Sequence, residues 1–200
     1  IGAKWIWSPA YTKDEVPVGT CFFRKVIEVQ RAQFAQVHVA CDNAYELFVN
    51  GKPVGKGGDW RKMDVHDIAA HLVPGKNVIA IKAANLDEGA AGLVARVLVQ
   101  ESASTMQSFS TDESWRTSVN EFANWDRPTF DDRDWLPATT YGELGATLPW
   151  GDEVVIAGEG SRFTLPPNFI VERVVGDEQT GSLIAMTFNS LGEIIVSEEG

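Results

Sequence analysis

Two hundred residues, 44% of them hydrophobic and 22% charged, can bury a sizeable core and form one domain or one and a half. The formal charge is −11, with nine acidic and two basic side chains in residues 151–200 and the remaining −4 on the first 150, and an acidic chain with no basic stripe argues against nucleic acid and anionic membrane surfaces as partners. No stretch is long and apolar enough to insert into a bilayer, and with no signal peptide in the sequence, such a segment is expected to have been removed or to lie outside these residues.

Seven tryptophans are many, and each is expected either in a core or on a contact surface. Trp5 and Trp7 alternate and should face one side of an edge strand, as core or as a stacking platform. Phe22–Val29 reads as a strand. In Gln36–Cys41, Val37, Val39 and Cys41 share a face; in Glu46–Asn50, Leu47 and Val49 do. Asn50-Gly51 between apolar runs is a tight hairpin turn, because both residues tolerate positive φ. A Gly-rich loop ending on Trp60 follows, then a helical turn over Asp67–Leu72, capped by Asp67 and ended by Pro74-Gly75. Val78–Ala84 places Ile79, Ile81 and Ala83 on one side. Gly92–Gln100 places Leu93, Ala95, Val97 and Val99 there. Short strands separated by turn residues imply an all-β antiparallel sandwich.

Phe130–Trp135 reads as a second short turn, with the carboxylates of Asp131 and Asp132 at its N-terminal end. The chain changes character near Pro149-Trp150-Gly151. Residues 152–167 read as an acidic linker closed by Leu165-Pro166-Pro167. Phe169–Val175, Ser182–Phe188 and Glu193–Ser197 then read as three strands with turns at Gly181 and Leu191-Gly192. Three strands are marginal alone, so residues 168–200 are expected to open a larger domain.

Cys21 and Cys41 form no Cys-x-x-Cys pair, which excludes a zinc ribbon or thioredoxin-type motif; their spacing is compatible with a disulfide or with two buried free thiols. His38, His66 and His71 read as surface or capped side chains, and no nucleophile elbow appears. Carboxylates are abundant, but abundance does not make a glycosidase pair, which needs one carboxyl with a raised pKa in a cleft.

The block CDNAYELFVNGKPVG, then Trp60, then DVHDIAAHLVPGKNVIAIKAAN resembles the galactose-binding-like jelly-roll domains that accompany glycoside hydrolases. The accessory domains of α-rhamnosidases and the sugar-binding domain of β-galactosidase-like enzymes are the nearest comparisons. TDESWRTS, WDRPTFDDRDWLPA and LPWG resemble the end of such a domain. The resemblance implies a jelly-roll over residues 1–151 that binds polysaccharide or glycan and does not catalyse. The tail from Leu165 resembles the start of a β-propeller of the membrane-bound-dehydrogenase type. That implies downstream domains of the same polypeptide and an extracytoplasmic setting: periplasmic, cell-surface or secreted. Exposed strand edges in the C-terminal extension would favour a homodimer.

Within that frame Trp60 is an aromatic platform for a sugar ring or a plug over the sandwich edge. Asp42, Asn43, Asp59 and Asn85 are hydrogen-bond partners for the sugar's hydroxyls or plain turn residues. Asp42, Asn43, Asn85, Asp87 and Glu88 are also oxygen donors for a structural Ca²⁺ of the kind the resembling fold often holds, although no Asp-x-Asp-x-Asp-Gly loop is present. The competing role is a spacer that docks a propeller and binds no sugar. Exposure of Trp60 separates the two, and a cleft with a desolvated carboxylate would point to an enzyme.

Overall fold

Eight strands of the computed structural model follow jelly-roll order. They are β1 (Lys4–Trp7), β2 (Gly19–Val29), β3 (Phe34–Asp42), β4 (Ala44–Val49), β5 (Lys52–Gly57), β6 (Lys62–Asp67), β7 (Gly75–Asn85) and β8 (Gly92–Ser102). One sheet contains β1-β8-β3-β6 and the other β2-β7-β4-β5. The structure describes residues 2–102, 105–151, 154–156, 183–188 and 194–198. The chain divides into compact units over 1–157 and 158–200. In the first, β12 (Thr139–Glu143) and β13 (Val155–Ile156) extend the first sheet, and β9 (Thr105–Ser110) pairs with β8. β10 (Arg116–Ser118) and β11 (Leu136–Pro137) extend the second. In the second unit, β14 (Leu183–Phe188) and β15 (Ile194–Glu198) form an antiparallel pair. The expected linker Leu165–Pro167, the strand Phe169–Val175 and the turns at Gly181 and Leu191-Gly192 fall outside the described residues.

Alternation along the strands fixes the core. Val37, Val39 and Cys41 meet Leu93, Ala95, Val97 and Val99 from one sheet, and Leu47, Val49, Ile79, Ile81 and Ala83 from the other. Each of these is buried, as the period-2 pattern requires. Asn50 and Gly51 have φ of 53° and 79°, the positive values the hairpin turn demands.

Both outer faces are covered by segments from late in the chain. Trp150 packs on Trp5, Ala40, Met63 and Val94 of the first sheet. Trp125 and Trp135 pack on Phe22, Val78 and Ala80 of the second. Burying such rings contributes on the order of 2–3 kcal/mol each, and aromatic pairing adds about 0.5–1.5 kcal/mol. Arg24, wholly buried on this second face, fastens the covering loop: its Nε donates to Asp132 Oδ2 at 2.9 Å. Its Nη1 donates to the carbonyls of Trp125 and Arg127.

Several local expectations change. Trp5 and Trp7 do not share a face: Trp5 stacks on Trp150, while Trp7 meets Phe23 in the inter-sheet core. β1 is interior, between β12 and β8, and its pairing slips between Trp5 and Ile6, where β12 carries Tyr141 as an extra residue. The helical turn after Asp67 contracts to a 3-10 turn over Ala69–His71, with Ala69 N donating to Asp67 Oδ1. The Phe130–Trp135 segment holds one turn, Trp135 N donating to Asp132 O, with the Asp132 carboxylate turned to Arg24 and that of Asp131 to Arg133. Part of the expected Gly-rich loop is strand β5. Pro53 is tolerated there because β5 ends its sheet. A Cβ at Gly55 would strike His66, and one at Gly57 would strike Asp64 and Tyr45. Cys21 and Cys41 are free, buried thiols.

Candidate functional site

At one end of the sandwich the β3–β4 turn, the β5–β6 loop and the β7–β8 loop come together around Asp42 and Asn43. Asp42 closes β3 and is 8% exposed. Its Oδ2 accepts from Trp150 Nε1 at 3.0 Å, and its Oδ1 accepts from Asn43 Nδ2 at 3.0 Å. Asn43 Oδ1 accepts from Leu86 N at 2.7 Å, which ties the turn to the start of the β7–β8 loop.

Burial raises the Asp42 carboxyl above the usual range, and the nearby Asp87 charge adds to that; the Trp150 hydrogen bond and the Arg61 charge oppose it. Asp42 therefore occupies a desolvated position beside a carboxylate and a guanidinium. Its oxygens can accept from hydroxyls or face a cation. Among the described residues no three His, Cys, Asp or Glu side chains form a metal-holding group.

Trp60 is half-buried and lies against the Trp5–Trp150 cluster. The Arg61 guanidinium sits over the Trp60 ring, 4.2 Å from its centroid. Asp59 is exposed, and its Oδ1 accepts from Arg61 N to shape the loop. Thus Trp60 is partly plug and partly surface. Asn85 lies inside, at 1% exposure, and its Nδ2 donates to the carbonyls of Val16 and Pro17. It is not placed to face a ligand directly, because β7 directs it inward at the root of the loop. Asp87 and Glu88 are exposed on that loop.

Trp150 is a site residue that local pattern does not reveal. It is 108 positions from Asp42, and only its LPWG context marks it as an anchor. Gly92 makes room for it: a Cβ there would lie 2.7 Å from Trp150 and 2.8 Å from Trp5.

A second polar cluster lies between β4 and β6. Tyr45 Oη donates to Asp64 Oδ2 at 2.9 Å and is 2.7 Å from His66 Nε2. Burial holds His66 below its ordinary value, against the pull of Asp64. The same burial raises the Tyr45 phenol.

No protein-family model matches the chain. It is 31% identical over 178 residues to an α-L-rhamnosidase of Streptomyces avermitilis, covering 82% of this chain and 17% of that protein. The crystal structure of the Streptomyces avermitilis α-L-rhamnosidase complexed with L-rhamnose superposes with a TM-score of 0.71 at 29% identity, over 76% of this chain and 16% of that one. The lectin of Pleurotus ostreatus, solved in apo form and in complex with GalNAc, superposes at 0.72 with 34% identity. The apo match covers 78% of this chain and 45% of the lectin. This chain therefore spans about a sixth of its rhamnosidase relative and under half of the lectin, and the all-β sandwich is the shared part.

Proposed function

We propose that residues 1–151 form a non-catalytic glycan-recognition module that works through the loops around Asp42. The observation that carries this reading is the likeness, over 78% of the chain at 34% identity, to a lectin whose crystal structure holds GalNAc. The same sandwich is similar to part of a rhamnosidase solved with L-rhamnose, a second sugar-handling protein.

The edge has the two surfaces a sugar needs. Trp60 packs against the Trp5–Trp150 cluster with the Arg61 guanidinium over its ring, so a pyranose would place its C–H face on that ring by displacing Arg61. Asp42, Asn43 and Asp59 supply acceptors and an amide for its hydroxyls, while Asn85 ties the end of β7 to the Val16 and Pro17 carbonyls. A single shallow site of this kind binds at roughly millimolar to micromolar Kd, about 4–8 kcal/mol. Burial and, after it, the Asp87 charge raise the Asp42 carboxyl, and a bound Ca²⁺ would relieve the Asp87 repulsion. The module belongs, in this reading, to a longer extracytoplasmic polypeptide. The linker in this reading begins beyond β13, which extends the first sheet, and residues 168–200 are the start of a further β domain that offers edges for a homodimer.

The test is tryptophan fluorescence of the full chain against galactose, GalNAc, L-rhamnose and plant polysaccharides, with and without Ca²⁺. A saturable shift that Trp60→Ala and Asp42→Ala both abolish supports the module. A folded protein silent to every ligand supports the spacer role instead.

A further inference from the structure

The outer face of the second sheet carries a row of three charges. Glu46 on β4 stands opposite Lys56 on β5 and opposite Lys82 on β7. Lys82 Nζ lies 3.9 Å from Glu46 Oε1. Opposite charges across strands commonly stabilise a sheet, and one Lys–Glu pair needs no other reason. Two lysines around one carboxylate leave a positive charge over.

Beyond that row, toward the strand ends, Ala44 and Ala84 stand opposite each other, Thr20 of β2 stands opposite Ala84, and Tyr45 and Gly57 complete the lining. An open cleft of about 580 Å³ lies there, within the range of small-molecule sites (roughly 300–1,000 Å³). Trp125, Trp135 and Phe130 cover the same sheet further along, and none of them lines the cleft. Its far end adjoins the Asp42 edge, since Asn43 N donates to Ala84 O at 3.0 Å.

We propose that this cleft binds an anionic saccharide unit, a sugar ring bearing a carboxylate or a sulfate. The charged group is met by the ammonium ends of Lys56 and Lys82, which flank Glu46 on the two neighbouring strands. The C–H face of the ring rests on the methyls of Ala44 and Ala84 and along the lysine stems. Glu46 accepts from a ring hydroxyl. The proposal shares with the preceding one only the chemical class of ligand and uses none of the residues around Trp60.

The test is an amide-shift titration of the full chain by NMR with three rings that differ at C6: galactose, galacturonate and galactose 6-sulfate. Galacturonate, galactose 6-sulfate or both are expected to move the Ala44, Gly57 and Ala84 amides with a Kd about 5-fold or more below that for galactose, an advantage of about 1 kcal/mol. Which of the two does so identifies the anion. Lys56→Gln with Lys82→Gln should remove that preference, the Arg pair should keep it, and Glu46→Gln should strengthen it. Equal Kd values for charged and neutral rings overturn the proposal, as does a preference that survives the double Gln variant, or amide shifts confined to the Trp60 loop. Shifts in the cleft with none around Trp60 would support this site and show that the edge does not take these three rings.

Discussion

Arg24 and Asp132 are 108 residues apart in sequence and 2.9 Å apart in space. The guanidinium is fully buried and the carboxylate mostly so, and the same guanidinium holds three carbonyls of the covering loop. Arg24 also lies 5.0 Å from the centre of the Phe130 ring. One side chain thus fixes the segment that carries Trp125 and Trp135 onto the second sheet.

Asp132→Ala should therefore destabilise the protein. A hydrogen bond to a charged group contributes about 1.5–3 kcal/mol, and partial exposure of the carboxylate puts this one near the lower end. Removing the guanidinium with Arg24→Ala should cost more, about 3–5 kcal/mol. Urea unfolding would show both as lower midpoints with unchanged slopes. Midpoints matching the parent would mean the loop is held by its aromatic rings alone.

Gly92→Ala tests the tryptophan stack. Trp5 and Trp150 lie 4.2 Å apart, nearly parallel, and both are buried. Neither can retreat from a methyl group placed within 2.8 Å of both. Overpacking of this kind costs about 1–3 kcal/mol. A thermal midpoint equal to that of the parent protein would show that the stack yields.

The histidines give stability a pH dependence. Burial lowers the His66 value from the ordinary 6.5, and burial and Arg96 lower that of His38. As pH falls below 6.5 the unfolded chain takes up protons that the folded chain does not, so the folded state loses ground. Stability from these groups is complete above pH 6.5 and is lost as pH falls through their folded values. Denaturation between pH 7.5 and 5 should show this decline, and His66→Gln should make it shallower. An identical slope in that variant would assign the dependence elsewhere.

Both thiols should be silent in the native protein. Burial pushes Cys21 up to about 12, and burial with the charges of Asp42 and Cys21 raises Cys41 well above its usual range. Little thiolate exists at pH 8, and neither sulfur is exposed. Ellman's reagent should find no reactive thiol in the native chain and two in denaturant. Prompt native reaction, or none after unfolding, would contradict the free, buried state.

The inner faces were legible because period-2 alternation is a local signal: Val37, Val39 and Cys41 point inward together, as do Ile79, Ile81 and Ala83. The hairpin at Asn50-Gly51 was legible for the same reason. Strand β5 was not, because KPVGKG has loop composition, and its place is set by His66 and Tyr45 packing against its glycines. Nor were the outer covers: Arg24 reads as one polar residue in a strand, and its partners lie more than 100 positions away. At the Asp42 edge the residue types were readable and their roles were not. Asn85 and Asn43 look alike in sequence, yet one is enclosed under the loop and the other ties two loops together.

The Trp5–Trp150 stack also sets how this sandwich can be combined with other domains. The stack joins β1 to the segment that follows β12, and beyond it the chain crosses to β13, which pairs with β6, so the sandwich is completed only after Trp150. Any junction with another domain must keep Trp150. A cut before it would uncover Trp5, Ala40 and Val94 together and leave the Asp42 carboxylate without its indole donor.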